Sequence, residues 1–566
     1  MKKLLASKYW WVYLLLLLIV INYIASLIHF RYDLTKEKRY TLSQPTRQLL
    51  KGLNDPVSIT VFLQGDMPAG FKKLSNSTQE LLQEFKEYGK TNIHFRFQKP
   101  GEGLDDAAKT NLIILLDSLG LSPTNVRVQA KAGEAQEERL VYPGALITYQ
   151  GRQMAIDLLK GQSAYGGTNS LNNAEALLEY KFANTIQKIT SDSIPLVGYL
   201  IGNGEPLTYN VFDLIEHTLK PAYRFDFVPI DKFNVIPLDF KAIIIVKPTE
   251  KFNDQQKLKI DQYIMHGGKV IWMIDNLYAE MDSLRRTQSD FIAYDRGLNL
   301  DDLLFKYGVR INKDLVQDLQ SDKMPQVIGN YGGQPQMELV SWPYFPLLAS
   351  TSEHPIAKNL DNVLSLFPNS IDTIKTTGIK KTILLATSQN SRTLSTPAVV
   401  SFNSLKTEED MKTFNRSNIP VAVLLEGTFS SLYANRISTA MADTLAKFYH
   451  QPFLGSSSNN KMIVISDADI VVNIVTQNEG PKAMGYNQYT QRTYANKDFF
   501  LNCVEYLVNP SGILETRSKD FTLRLLDPKK LEENRTTWQL LNIGVPVILI
   551  LFFGFIYQAL RRKKYQ

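Results

Sequence analysis

Two long stretches without charge, one near each end of the chain, most constrain what this sequence can fold into. Residues 9–30 comprise 22 residues and residues 538–560 comprise 23, with no formal charge in either stretch. About 20 apolar residues in a helix span the hydrocarbon core of a bilayer. The sequence therefore predicts two membrane-spanning helices that enclose a large water-exposed region. The aromatic residues expected at the membrane interfaces are Trp10, Trp11, Trp538 and Tyr557.

Basic residues predict the orientation of the spans. Arg561, Arg562, Lys563 and Lys564 follow the second stretch and outnumber the basic residues before it, so the C-terminus is expected in the cytoplasm. Two spans then place the N-terminus there too. The first stretch could instead be a cleaved signal peptide, but the small residues that a signal peptidase needs are missing around Ala25, which favours an uncleaved anchor.

The spans and the patterns between them predict the domain organisation. The predicted segments are a cytoplasmic tip at 1–8, a span at 9–30, a juxtamembrane segment at 31–46, an α/β domain at 47–190, a second α/β domain at 191–527 with an insertion at about 290–415, a juxtamembrane segment at 528–537, a span at 538–560 and a cytoplasmic tail at 561–566.

The charge distribution argues against binding of nucleic acid, and the cysteine content excludes an internal disulfide. The seven basic residues at the two tips account for the whole net charge of +7, leaving 56 basic and 56 acidic residues between them. Because a neutral region offers no basic surface to a phosphate backbone, nucleic acid is not an expected partner. Cys503 is the only cysteine, so no internal disulfide can form, and we expect a buried structural thiol.

Hydrophobic periodicity predicts an α/β fold in both domains. In the first, strands at 59–63 and 93–97 flank a helix at 74–88, and a hairpin and a further helix follow, which suggests a thioredoxin-like layer that lacks a C-x-x-C redox motif. In the second, near-continuous apolar strands alternate with helices, which is typical of a doubly wound parallel sheet covered on both faces. Strands at 421–425 and 462–465 are expected to complete that sheet.

Common catalytic motifs are missing. The sequence has no G-x-x-x-x-G-K-[ST] loop, and Gly161-Gln-Ser163-Ala-Tyr165 has a tyrosine where a nucleophile elbow requires glycine. The six histidines never pair at i, i+3 or i+4, so the sequence predicts neither a metal cluster nor a cofactor. ATPase activity is therefore expected in a partner chain.

Two groups of residues remain as weak ligand-binding candidates. The turn Gly202, Asn203, Gly204, Glu205 follows a predicted strand, where doubly wound sheets bind ligands, although it could be only a tight turn. Asp275, Asp467 and Asp469 follow two other strands and could share one edge of the sheet. Asp467 and Asp469, spaced i, i+2, could hold a hard cation through their carboxylate oxygens, act in catalysis, or merely cap the next turn.

Three segments resemble the GldG family, the auxiliary subunit of the gliding-motility ABC transporter. They are RYDLTKEKRYTLSQPTRQLLKGLNDPVSITVFL near the N-terminus, KMIVISDADIVVN with MGYNQYTQRTYANKDFFLNCVEYL, and LRLLDPKKLEENRTTWQLLNIGVPVILILFFGFIYQALRRKKYQ at the C-terminus. The resemblance implies a bacterial inner-membrane protein with a periplasmic region, working beside a multispan permease and a cytoplasmic ATPase.

The same resemblance implies a central domain related to one in an intraflagellar-transport subunit and, more distantly, to class I amidotransferases. The amidotransferase nucleophile is a cysteine that would lie near Asp275 and Asn276, where this chain has none. We therefore expect a non-enzymatic, substrate-binding-like transporter subunit in gliding motility or surface-protein export. The alternatives are a periplasmic enzyme acting on envelope glycan or peptide, with the three aspartates as its acids, and a pure structural scaffold. A periplasmic or envelope component is a further expected partner.

Overall fold

The computed structural model divides into two units, Met1–Lys519 and Asp520–Gln566. It describes residues 41–65, 67–119, 121, 123–128, 137–159, 171, 174–191, 193–287, 290–331, 334–350, 352–402, 408–476, 478–509, 511–518 and 535–565, together with residues 15, 16, 18, 19 and 22.

A four-stranded sheet opens the first unit. Its strands run in the order β2-β1-β5-β6, with β1 and β2 parallel and the other neighbours antiparallel. The elements are α1 (Gln44–Lys51), β1 (Val57–Val61), α2 (Ala69–Gly89), β2 (Ile93–Phe97), α3 (Asp106–Ser118), β3 (Thr124–Val128), β4 (Glu137–Val141), β5 (Gly144–Tyr149), β6 (Arg152–Asp157) and α4 (Leu178–Thr190), with a 3-10 turn at Lys90–Asn92.

Alternation along β1 explains how this sheet is covered. Val57, Ile59 and Val61 point to one face and are fully buried with the apolar residues of α2 and α4. Phe85 of α2 and Phe182 of α4 meet edge to face there, 6.4 Å apart between ring centroids. The predicted strand at 93–97 coincides with β2.

A ten-stranded mixed sheet forms the centre of the remainder of the first unit. Its elements and those around it are β7 (Leu196–Ile201), α5 (Phe212–Leu214), β8 (Arg224–Pro229), β9 (Phe240–Val246), α6 (Asp254–Met265), β10 (Lys269–Met273), β11 (Leu277–Tyr278), α7 (Met281–Thr287), β12 (Phe291–Asp295), α8 (Asp301–Tyr307), β13 (Val309–Ile311), β14 (Asp314–Asp318), β15 (Ser321–Tyr331), β16 (Gln334–Ser350), β17 (Val363–Leu364), β18 (Ile371–Thr373), β19 (Ile379–Ala386), β20 (Ser391–Ser395), β21 (Ala398–Val400), α9 (Glu408–Lys412), β22 (Pro420–Ser430), α10 (Thr439–Lys447), β23 (Ser456–Ile465), β24 (Val475–Thr476), β25 (Gly480–Pro481), β26 (Tyr486–Asn487), β27 (Arg492–Thr493) and α11 (Asn496–Val508), with 3-10 turns at Thr208–Val211 and Ile513–Ser518 and a π turn at Ile215–Leu219.

Strand direction divides this sheet into two parts. The strands β23, β10, β9, β7 and β8 are parallel, and we name them the parallel half. The strands β22, β19, β16 and β15 are antiparallel, and we name them the antiparallel half. The prediction of a parallel sheet is therefore wrong for β22, the predicted strand at 421–425, which joins the sheet but runs antiparallel to β23. Apolar runs indicate burial, and burial does not determine strand direction.

The inner strands of the parallel half, β7, β9 and β10, are buried on both faces, whereas the edge strand β8 is mostly exposed. Ile244 and Met273 face a core formed with α11 and the helical turns at 208–219, whereas Ile245 and Trp272 face the core formed with α6 and α8. In the predicted insertion at about 290–415, β15, β16 and β19 extend the sheet, and β12 and β21 belong to a separate three-stranded sheet with β11.

The region from residue 41 to residue 518 begins and ends at one place. Ser43 caps α1, and its backbone N–H donates to Glu179 of α4 at 2.7 Å. Ile513 of the last 3-10 turn is buried in the same core as Leu42. A Cβ built on Gly512 would lie 3.6 Å from Cγ of Pro45, so the two ends of this region touch.

The second unit contains the helix α12 (Arg535–Tyr565). Within it, Thr536–Arg562 has the length and hydropathy of a membrane span, and its most apolar part is exposed throughout. Trp538, Tyr557, Arg561 and Arg562 expose their side chains on this helix, and Lys563 and Lys564 continue it. Of the predicted first span, residues 15, 16, 18, 19 and 22 are helical, and the rest, with Trp10 and Trp11, lies outside the described residues.

Candidate functional site

Charged residues meet at the carboxyl edge of the parallel half. Lys247 directly follows β9, Asp275 follows β10, and Asp469 follows β23. Neighbouring parallel strands end at the same edge of a sheet, which brings these three side chains together. The backbone of Lys247 adopts φ +46°, a left-handed conformation that is unusual for lysine, at the point where its strand ends.

Lys247 is the centre of this ion-pair cluster. Its Nζ lies 2.5 Å from Oδ1 of Asp469, 3.3 Å from Oδ2 of Asp275 and 3.4 Å from Oε2 of Glu280. Glu280 also binds Nη2 of Arg296 at 2.6 Å. The cation held by the predicted aspartates is therefore an ammonium group of this chain.

The two acids spaced i, i+2 have different partners. Asp467 is fully buried and accepts the backbone N–H groups of Asp469 at 2.8 Å and Leu366 at 2.7 Å, together with the Ser365 hydroxyl. Asp469 binds Lys247 instead. Asp275 joins the two strand ends, because its Oδ1 accepts the N–H of Ala468 at 2.7 Å. Asp467 thus holds the loop in place, which is the capping role expected of an acid after a buried strand.

Burial and like charge set the protonation of the cluster. Burial raises the pKa of Asp467 well above its usual value, and the neighbouring Asp469 and Asp275 raise it further. Burial also raises the pKa of Asp469, to about 7, although Lys247 opposes the shift. Burial lowers the pKa of Lys247, but the attraction of Asp469, Asp275 and Glu280 outweighs it, so the pKa is raised and the ammonium persists.

In the predicted glycine turn, the carboxylate of Glu205 binds the backbone N–H groups of the same turn. Oε2 of Glu205 accepts the N–H groups of Gly202 at 2.9 Å and Asn203 at 2.8 Å. Burial raises the pKa of Glu205, and those two N–H groups act in the opposite direction. Gly204 has φ +77°, and a Cβ there would lie 2.1 Å from Oγ1 of Thr249, so only glycine fits. The N–H groups that could have bound an anion are occupied by the chain's own carboxylate.

A cleft of about 420 Å³ lies over part of this edge. Gly204, Lys247, Glu280, Asp469, Phe367 and Tyr489 are among the residues that line it. The structure therefore brings one residue of the glycine turn and one of the predicted aspartates to a common cleft, whereas Asp275 and Asp467 are not among the residues that line it.

Lys247, Glu280 and Arg296 were not predicted as site residues from the sequence. The available signal was the position of Lys247, directly after an apolar strand, as Asp275 comes two residues after its own strand. Among the described residues, no group of histidine, cysteine or acidic side chains has the arrangement of a metal site. Cys503 is fully buried in α11, and burial raises the pKa of its thiol.

Comparison with known families identifies the chain at the level of its transport system. A family model described as ABC-type uncharacterized transport system matches residues 195–503, which include the parallel half and the whole ion-pair cluster. The chain belongs to this family. As a member of the ABC-type transport family, it is an ABC transporter auxiliary protein, and a permease and an ATPase are its partners in general. The apolar helix α12 indicates anchoring in a membrane.

Other matches extend the comparison beyond this ABC-type transport family. A domain of unknown function, DUF7088, matches residues 36–148. An uncharacterized protein from Borreliella burgdorferi is 20% identical over 427 residues, which cover 73% of this chain and 76% of that protein. A solved structure described as mmIFT52 N-terminal domain aligns with 56% of this chain and 97% of its own length, at 14% identity and a TM-score of 0.30.

Proposed function

We propose that this ABC transporter auxiliary protein is a non-enzymatic, GldG-like subunit that acts in gliding motility or surface-protein export. In this proposal a span at each end holds it in the bacterial inner membrane, both termini are cytoplasmic, and the bulk of the chain is periplasmic. The observation that carries the proposal is the family match over residues 195–503, together with the exposed apolar helix at Thr536–Arg562. One or two spans are too few to form a translocation pathway, which supports work beside a permease.

The chemistry at the sheet edge supports a non-enzymatic role. Lys247 is bound by three carboxylates, and Asp467 is bound by three hydrogen-bond donors, so neither presents a free reactive group. We propose that the cleft beside Gly204 and Asp469 recognises a ligand or a partner and does not transform it. The thioredoxin-like and amidotransferase-like assignments of the two domains belong to this proposal. Their support is the βαβ and antiparallel hairpin order of the first sheet and the parallel half of the second.

Co-purification tests the proposal most directly. The full chain is isolated from native membranes in a mild detergent, and the proteins retained in near-stoichiometric amounts are identified by mass spectrometry. We expect a multispan permease and a P-loop ATPase. A tagged inner-membrane protein with two spans and no transport role is the control. Recovery of the chain alone in several detergents would contradict the proposal.

A deletion strain separates the two proposed processes. Loss of colony spreading with normal surface proteins would support a role in motility, whereas loss of surface proteins would support a role in export. Restoration of the missing activity by the full chain is the required control. A strain with neither defect would overturn both assignments.

A periplasmic enzyme acting on envelope glycan or peptide is the second candidate. It is favoured by Asp469, which lines the cleft and has a pKa of about 7, the range in which a carboxyl group can transfer a proton. Replacing Asp275, Asp467 and Asp469 by asparagine, one at a time, distinguishes the candidates. Loss of motility or export with intact assembly of the complex only for Asp469→Asn would favour the enzyme. Unchanged activity in all three variants would favour a scaffold that binds no small ligand.

A further inference from the structure

One oxygen of the Asp469 carboxyl group has no partner in the described part of the chain. Its Oδ1 lies 2.5 Å from Nζ of Lys247, whereas its Oδ2 accepts no hydrogen bond from any residue that the structure describes. The side chain is only 12% exposed, and Asp469 is one of the residues that line the cleft of about 420 Å³. Burying a carboxylate oxygen without a donor is costly. A ligand in the cleft that supplies a donor would satisfy this oxygen.

The charged residues of the cleft carry an excess of negative charge. Among the described residues that line it, the acids are Glu280, Asp282 and Asp469, and the one basic residue is Lys247. A cleft with a negative lining attracts cations and repels anions. The N–H groups of the neighbouring glycine turn, which could otherwise bind an anion, are occupied by Glu205. The charges therefore favour a cationic ligand.

The remainder of the lining offers apolar surface to an organic ligand. It includes the aliphatic and aromatic side chains of Leu364, Leu366, Phe367, Val472, Ile474 and Tyr486. The volume is within the range of clefts that hold small molecules, about 300–1,000 Å³. An ammonium group on an aliphatic stem suits such a lining, because its methylene groups pack on apolar surface while its charge stays at a polar end. Aromatic rings add attraction for the cation.

We infer that the cleft binds a primary ammonium group on an aliphatic stem, with the ammonium donating to Oδ2 of Asp469 and the stem packed on the apolar lining. The inference rests on the proposed recognition role of the cleft and names the chemistry of its ligand. A lysine side chain of a peptide and a free aliphatic amine share this chemistry, and the experiment distinguishes them.

An ammonium group fits the cleft better than other ligands that could donate or coordinate to Oδ2. A guanidinium group binds a carboxylate best through two parallel hydrogen bonds, but Lys247 already occupies Oδ1 of Asp469. A divalent metal ion such as Ca²⁺ needs about six to eight oxygen ligands, and the described residues contain no group of side chains with the arrangement of a metal site. A neutral ligand would leave the excess negative charge uncompensated.

Protonation of Asp469 should control the binding of an ammonium ligand. Burial raises the pKa of Asp469 to about 7, against the attraction of Lys247. The neighbouring acids Asp275, Glu280 and Asp467 favour the protonated form. An aliphatic ammonium group keeps its charge up to about pH 10, so only the carboxyl group changes its charge near pH 7. The affinity should therefore rise by about tenfold from pH 6 to pH 8.

Binding to the full chain in detergent, measured by isothermal titration calorimetry, tests the inference. The ammonium probes are pentylammonium and a capped tripeptide with a central lysine. Their neutral counterparts are 1-pentanol and the same tripeptide with the lysine acetylated, which keeps the stem and removes the charge. We expect an ammonium probe to bind at least tenfold more tightly than its counterpart. Binding of the tripeptide alone would identify a peptide ligand, and binding of pentylammonium alone a free amine.

Replacing the acceptor tests the position of the ammonium group. Asp469→Asn should weaken the binding of the ammonium probes at least tenfold and remove its dependence on pH between 6 and 8. Asp239→Asn is the matched control, because Asp239 is exposed and directly precedes β9, at the opposite end of that strand from Lys247. It should leave binding unchanged. Unchanged protease resistance verifies that the variants fold.

A pair of substitutions at an exposed position tests the charge without disturbing the ion-pair cluster. Val475 lines the cleft and is 45% exposed. Val475→Glu should strengthen the binding of the ammonium probes several-fold, and Val475→Lys should weaken it by a similar factor.

Four results would each overturn the inference. They are no binding of either ammonium probe, equal binding of the neutral counterparts, unchanged binding by a folded Asp469→Asn variant, and the same effect from both substitutions of Val475. None of them bears on the proposed transporter role, because that role is tested separately by co-purification of a permease and an ATPase.

Discussion

The two halves of the central sheet bury their surfaces in different ways. In the parallel half the inner strands β7, β9 and β10 lie between two buried layers, and the strand ends bring charged residues together at one edge. In the antiparallel half the last two strands, β15 and β16, form a ribbon at residues 323–341 with exposed apolar side chains. Parallel strands all end on the same side, whereas antiparallel strands send alternate ends to opposite sides. Strand direction thus determines where polar loops meet and where apolar surface stays open.

Among the changes that test this contrast between the two halves, removing the Lys247 ammonium group should have the largest effect on stability. Lys247→Met leaves Asp275, Glu280 and Asp469 buried or half-buried without their common partner, so we expect a loss of about 3–5 kcal/mol in the free energy of unfolding. Lys380→Met, at an exposed position on β19 of the antiparallel half, should change it by less than about 0.5 kcal/mol. Urea denaturation of the full chain in detergent, followed by tryptophan fluorescence, measures both. Equal effects would contradict the contrast between the two halves.

Truncating apolar side chains sharpens the same contrast. Ile244→Ala removes a fully buried side chain from β9, which should cost about 2–5 kcal/mol because of lost burial and a cavity. Met337→Ala on the ribbon should stay within about 0.5 kcal/mol, since its side chain is already in water. The denaturation midpoints of the two variants are compared under identical conditions. A large loss for Met337→Ala would mean that the ribbon belongs to the folded core.

The pH dependence of stability should show the smallest effect. The pKa of Asp469 is raised from 3.8 in the unfolded chain to about 7 in the folded protein, so the folded state binds more protons between these values. Stability contributed by this group is present at low pH and is lost as the pH rises towards 7, by about 2 kcal/mol between pH 5 and pH 7.

Asp469→Asn provides the measurement for this effect. In the variant, the unfolding free energy should no longer fall between pH 5 and pH 7 by the amount that Asp469 contributes. This change in slope is expected whatever the stability of the variant at a single pH. Parallel curves for the parent protein and the variant would show that Asp469 is not the titrating group.

Hydrophobic periodicity predicted the elements better than it predicted their arrangement. The alternation of strands and helices predicted for the second domain includes α6, whose start is marked by a capping box formed by Asn253 and Gln256. The direction of β22 could not be predicted, since a strand buried on both faces has the same apolar pattern in either direction. The ribbon was also missed, because its polar and glycine-rich residues are typical of turns.

The candidate site was predicted in position and not in detail. Asp275 follows β10, and Asp467 and Asp469 follow β23, at the edge of the sheet where the sequence analysis expected them. The inference that Asp467 and Asp469 share a face holds only while the chain stays extended, and the strand ends at Ile465. Lys247 was overlooked because a lysine after a strand is usually solvated. Three carboxylates bind Lys247 in the folded protein. These contacts join residues that are distant in sequence, and hydrophobic periodicity does not encode them.

The contact between Gly512 and Pro45 has a topological consequence. Because residues 44–518 start and finish side by side, this region is equivalent to a cassette inserted into a chain at one point. We expect such a cassette to tolerate circular permutation, and it can be placed between other flanking segments without linkers that cross its surface.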